Sequence, residues 1–237
     1  MAMELMSPAG SMEGIIAAVR GGADAVYLGG TTFNARMNAH NFGGDALRSA
    51  VLRAHAYGVK VYLTANTLIF DRERDEALRA AEDAYLAGAD ALIVADLGVM
   101  ATIREILPEM EIHVSTQTSI VSPASAKAYA ALGAKRLVLA RELTLDEIKN
   151  IRKNTPSELE LEAFVHGALC MSVSGRCELS AMLGGRSGNR GLCAQPCRLP
   201  YACEGERAGN RYPLSLKDMS LATHVREIID SGVASLK

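Results

Sequence analysis

The sequence predicts an α/β chain folded as a TIM-like (β/α)8 barrel, with a Cys-rich insertion after strand seven and no eighth helix. Three observations carry that expectation. Short apolar runs of β type recur eight times along the chain. Amphipathic stretches of helical period lie between them. Several of those stretches end on a glycine, followed within about three residues by the next apolar run. Such alternation implies βαβ units and a parallel sheet.

Taken in order, the runs are Glu4–Met6, Ala25–Leu28, Lys60–Thr64, Ala91–Ala95, Glu111–Ser115, Arg136–Ala140, Leu159–Val165 and Ala234–Lys237. Most are apolar on both faces, as buried parallel strands are. Between them, Ser11–Gly21 sets Ile15, Ala17 and Ala18 on one side, and Gly44–Tyr57 carries Ala46, Leu47, Ala50, Val51 and Ala54 at helical spacing. Asp75–Ala87, Gly98–Leu107 and Pro123–Leu132 repeat the pattern. The glycines of Arg20-Gly-Gly, Tyr57-Gly, Ala87-Gly, Leu132-Gly and Ser231-Gly stand where a left-handed residue caps a helix. An open doubly wound sheet is the alternative. Eight runs favour a closed barrel, and the open sheet's GxGxxG turn is missing after the first run.

The chain is expected to be one domain, residues 1–237, with the insertion at about 166–212. It stops inside the eighth run, so the expectation is an N-terminal fragment of a longer chain. The interval between the seventh and eighth runs far exceeds the others. In a barrel, a loop that follows a strand lies on the face that carries the chemistry.

Composition narrows the classes. An apolar fraction of 49% and a charged fraction of 22% describe a packed globule rather than a disordered chain. A net charge of −2 argues against a wholly basic nucleic-acid binder. No apolar run approaches the ~20 residues of a membrane span, and MAMELMSPAG lacks the plan of a secretory signal. The expected location is cytoplasmic, where thiols stay reduced and clustered cysteines act as metal ligands or nucleophiles.

Those cysteines are the strongest chemical signal. None occurs before Cys170; then Cys170, Cys177, Cys193 and Cys197 follow as C-x6-C-x15-C-x3-C, with Cys203 shortly after. This spacing is neither that of a zinc ribbon nor that of a bacterial ferredoxin. Four thiolates without histidine suit an iron–sulfur cluster or structural zinc, and nearby Arg176, Arg186, Arg190 and Arg198 would favour thiolate. Disulfides or inert buried thiols are the alternatives.

Polar residues at the ends of the runs would line the barrel mouth. They are Asn34 and Arg36, Asn66, Asp96, Gln117, Arg141 and Glu142, and His166. As a set they form a pocket candidate; singly, each could be a hydrogen-bonded rim. His113 lies inside a run and could point into packing. The loop GGRSGNRG offers Arg186 and Arg190, with many backbone amides, to an anion such as a phosphate or dicarboxylate.

The segments ExFxxGALCxxxSGxCxLS (Glu162–Ser180) and GGRSGNRGxCAQPCRxPY (to Tyr201) resemble the signature of the U32 family, known as collagenase-like peptidases. ELMSPAGSMEG, GADAVYLGG, YLTANT, DALIVADLG, HVSTQTS, LVLARELTLDEI and LSLKDMSL extend the resemblance over essentially the whole chain. It implies a barrel-like catalytic region in a chain that continues further. It also implies either proteolysis or oxygen-independent hydroxylation of an RNA base, with prephenate as hydroxyl source, or of the ubiquinone ring. In the hydroxylating members cysteines of this region hold a [4Fe–4S] cluster. The matching residues here are Cys170, Cys177, Cys193 and Cys197, with Cys203 a rival for the fourth place.

Chemistry favours the hydroxylase. There is no HExxH and no GxSxG. A cysteine protease would need His166 as base beside Cys170. The expectation is therefore RNA (tRNA or rRNA) as substrate, prephenate as co-substrate and Cys170, Cys177, Cys193 and Cys197 on the cluster. Arg186, Arg190 and Gln117 would bind the anion, and His166, Glu142, Arg141, Asn34, Arg36 and Asn66 would do the catalysis. The alternatives are a peptidase acting on peptides, and a metal-bound scaffold (cluster or zinc) working with a partner of the same family.

Overall fold

The computed structural model describes residues 3–35, 37, 40–202 and 211–237. Arg36 and Cys203 lie outside the described residues. Eight parallel strands close into a barrel. They are β1 (Glu4–Pro8), β2 (Ala25–Gly29), β3 (Lys60–Ala65), β4 (Ala91–Val94), β5 (Glu111–Val114), β6 (Arg136–Val138), β7 (Glu160–Ala163) and, last in the chain, β10 (Ser235–Leu236). Neighbours follow chain order around the ring, and β10 closes the gap between β7 and β1. Its registers, Ser235 on Glu162 and Glu4 on Ser235, set both seams.

Helices α1 (Met12–Arg20), α2 (Gly44–His55), α3 (Arg74–Ala87), α4 (Leu97–Ile106) and α5 (Pro123–Ala131) occupy the expected stretches. Ser11 caps α1, accepting from the Gly14 amide at 3.2 Å, and Ser122 caps α5 in the same way. The expected left-handed residues are Gly22, Gly58, Gly88, Gly133 and Gly232, all at positive φ; in the first pair the second glycine takes that role. Three helices lie outside the stretches expected from sequence: α6 (Leu145–Lys153), α7 (Leu179–Gly184) and α8 (Val225–Asp230). Helices α7 and α8 span six residues each, and α6 spans nine, with Ile148 and Ile151 buried. A capping box starts it: the Glu147 amide donates to Thr144 Oγ1, and the Thr144 amide donates to Glu147 Oε2 at 2.7 Å.

The hydrophobic core is a shell between strands and helices, built from outward-facing Val26, Leu28, Val61, Leu63, Leu92, Val94, Ile112, Leu137 and Leu161 against the apolar sides of α1–α6. The lumen is different. A small apolar plug of Met6, Ala25, Tyr62, Ala91 and Ile93 shares it with charges. Arg136, only 4% exposed, donates to Glu4, to Glu160 at 2.8 Å and to Glu162 at 3.3 Å. Tyr62 and Ser235 hydroxyls also donate to Glu4, at 2.7 and 3.0 Å. Burial alone would raise the Glu4 carboxyl, but Arg136 outweighs it and holds it below its ordinary value. Burial likewise pushes the Tyr62 phenol up and the His113 ring down. His113 is thus a neutral packing residue, edge-on to Tyr62 at 4.6 Å.

Candidate functional site

The strand ends open onto a mouth about 260 Å³ in volume. Asn34, Asn66, Gln117 and Arg141 line it, with Tyr27, Ser115, Thr116, Phe164 and Lys237. Asn66 braces the rim: its Oδ1 accepts from the Ala35 amide at 2.9 Å and its Nδ2 donates to Ser115 Oγ at 3.3 Å. Asn34 is 1% exposed and turns its amide back on the Gly30 carbonyl, so it shapes the loop after β2.

Beside the mouth lies a second cavity of about 560 Å³. Cys170, Cys177, Cys193 and Cys197 all line it, and all four thiols are free. Gln117, Arg141, Thr116 and Ala35 line both cavities, so the cysteine chamber and the barrel mouth share a wall. The Gln195 amide donates to Cys193 Sγ at 3.3 Å. Burial pushes the Cys197 thiol up, and Arg198 partly offsets that.

The insertion grows from a short neck, where β8 (His166–Gly167) pairs antiparallel with β9 (Met219–Ser220). The lobe therefore runs on past residue 212, its expected end, to β9. Two glycines press it onto the barrel. Gly175 sits at φ 77°, where a Cβ would meet the Gln117 carbonyl oxygen at 2.1 Å; Gly191 sits at φ 79°, with the Asn34 carbonyl oxygen at 2.1 Å. Only residues without a side chain permit that approach.

Several charged candidates turn out to hold this lobe. Glu142 accepts from the Ser174 amide at 3.0 Å and from its hydroxyl, so it anchors the insertion; it lines neither the mouth nor the cysteine chamber. Arg190, expected to meet an anion, is occupied: it forks onto Glu73 at 2.6 and 2.9 Å, donates to the Leu68 carbonyl and stacks on Phe70 at 4.5 Å. That contact drives the Glu73 carboxyl down to about 2. Arg186 is exposed, donates to the Leu192 carbonyl at 3.0 Å and lines neither cavity. Asp96 caps α4 through the Val99 amide at 3.0 Å. His166, in the neck, lines a third cavity of about 590 Å³ and not the cysteine chamber, so it does not face Cys170 there. The sequence reading missed Lys237. It belongs to the eighth run itself, directly after β10, and reaches the mouth from there.

The family model for peptidase family U32 matches residues 10–237. The chain belongs to peptidase family U32. Among curated members of that family, the chain is 41% identical over 239 residues to the 23S rRNA 5-hydroxycytidine C2501 synthase of Escherichia coli, covering 99% of this chain and 36% of that protein. It is 37% identical over 247 residues to the tRNA hydroxylation protein P1 of Bacillus subtilis, covering 99% of this chain and 57% of that one. The chain thus spans well under two thirds of these U32 relatives. A solved structure of a U32 peptidase superposes with a TM-score of 0.68 over 99% of this chain and 91% of that one, at 16% identity, and shows the shared fold.

No helix among the described residues is long and apolar enough to cross a membrane.

Proposed function

We propose that this U32 chain carries the catalytic barrel of an RNA-base hydroxylase that works without oxygen, with prephenate as the source of the hydroxyl group. The observation that carries the reading is the shared wall: a four-thiol chamber opens beside a polar barrel mouth, with Gln117 and Arg141 common to both. The relatives' names point the same way, two kinds of RNA hydroxylation at 41% and 37% identity.

Cys170, Cys177, Cys193 and Cys197 would hold a [4Fe–4S] cluster. The donor set fits: four soft thiols around one chamber, within electrostatic reach of one another and with no histidine among them. Among the described residues, no three His, Cys, Asp or Glu side chains converge as a single ion requires. When bound, such a cluster supplies electron-transfer chemistry. The chain's own residues do the rest. Asn66 and Asn34 fix the rim, Arg141 places positive charge on the wall between the cavities, and Gly175 and Gly191 seat the lobe against the barrel. Cytoplasmic RNA and a partner of the same family belong to this reading.

Peptidase action is the second reading, carried by the family description. It needs a base beside a nucleophile, and His166 and Cys170 line different cavities.

The deciding experiment measures iron and acid-labile sulfide in protein purified without oxygen, then hydroxylation of RNA with and without prephenate. About four irons per chain are expected, falling to well below half in Cys177→Ser. One zinc and no iron would return the cysteines to a structural role, and a full cluster in Cys177→Ser would remove that residue from the set.

A further inference from the structure

Lys237 is carried into the barrel mouth by its own backbone. Its N–H donates to the Ala163 carbonyl at 2.9 Å, and its carbonyl accepts from the Val165 amide at 2.7 Å. The side chain is 7% exposed. Its ammonium stands 3.1 Å from Glu162 Oε1, 4.2 Å from the Tyr27 ring centre and 5.4 Å from that of Phe164. An ammonium has three donors, and Glu162 takes up one direction. Arg141 approaches the same ring from the loop after β6, its guanidinium 4.9 Å from the Phe164 centre. One of its Nη groups donates to the Ala168 carbonyl at 2.9 Å, while its buried Nε has no partner among the described residues.

Both cations therefore line the mouth, over one aromatic ring, with donors still to spend. Glu162 fixes the ammonium in place and is itself shared with Arg136 from the lumen side. Tyr27, Phe164, Ile93 and Val138 give the cavity an apolar wall between the charges. A guanidinium and an ammonium in a partly dry cavity are matched to acid groups.

We propose that Arg141 and Lys237 form a binding site for a small dianion, two acid groups on an apolar body that packs against Phe164 and Tyr27. Arg141 takes one acid group through the guanidinium hydrogens that the Ala168 carbonyl leaves free, and Lys237 takes the other. Prephenate is of this class; naming it rests on the function proposed above, whereas the site itself does not.

The test is calorimetric titration of the whole chain at fixed ionic strength with prephenate, with phenylsuccinate as an unreactive dicarboxylate, and with 3-phenylpropionate as its one-acid counterpart. Lys237→Met and Arg141→Met are each expected to weaken both dianions by about tenfold or more. Lys149→Met, exposed on α6, should leave them unchanged. Because Lys237→Met strips Glu162 of a partner, Lys237→Met/Glu162→Gln is measured beside it, with melting temperatures for all; the double variant must show the same loss. Wild-type protein that binds phenylsuccinate but not prephenate would keep the site and sink the prephenate reading. Prephenate binding that survives both Lys237 variants would sink the site and keep that reading. Equal affinity for the one-acid compound, or no binding of either dianion, would overturn the dianion site.

Discussion

At Gly175 a methyl group would meet the Gln117 carbonyl oxygen at 2.1 Å, in a backbone conformation that side chains rarely adopt. Gly175→Ala is therefore expected to cost about 1–3 kcal/mol from the strained backbone alone, and to loosen the lobe from the barrel. Melting temperature and iron retained per chain would check it; a variant as stable and as iron-replete as wild type would show that the contact is not a seat. The GGRSGNRG loop illustrates what composition hides. Arg186 and Arg190 read alike as free charges, yet Arg190 is locked to Glu73 and Arg186 is not paired with any acid among the described residues. The cysteines were legible because four thiols and no earlier cysteine form a pattern along the chain. Lys237 was not, because its importance depends on strand closure, which brings Tyr27 and Phe164 to it across the barrel.

Between elements, the link from the lobe to the segment before α3 runs through Arg190 and Glu73. Glu73 titrates at about 2 in the folded chain, against an ordinary 4.5. A lowered carboxyl stabilises the fold fully above its unfolded value and loses that contribution as pH falls toward the folded one. Glu73→Gln should therefore lower the melting temperature by a steady amount from pH 7 down to about pH 4.5, equivalent to about 0.2–1 kcal/mol for a partly exposed pair. The gap should narrow below that pH; a gap constant with pH would assign the loss to something other than the ion pair. Element positions were read well where glycine ends a helix, since Gly58, Gly88 and Gly133 take the left-handed conformation that the pattern requires. Helix α6 lies outside the expected stretches although Thr144 and Glu147 spell out its capping box and Ile148 and Ile151 mark its buried side.

Across the whole molecule, the charged lumen separates this barrel from one filled by aliphatic layers. Arg136 answers Glu4, Glu160 and Glu162 at once. Arg136→Met leaves those carboxylates facing one another in a buried site and should cost about 3–5 kcal/mol, seen as a large fall in the urea midpoint. A loss under about 1 kcal/mol would mean the carboxylates had found water or protons at little cost. Barrel closure was expected from the run count, but the lumen was not, since strand periodicity separates inward from outward residues without saying what meets inside. Glu4 sits near one end of the chain and Ser235 near the other, yet they share a hydrogen bond across 231 positions of sequence. That bond can form only once the strand carrying Ser235 has paired with β1 and β7, so closing the ring joins segments that are far apart in sequence and is expected to be slow beside local helix formation.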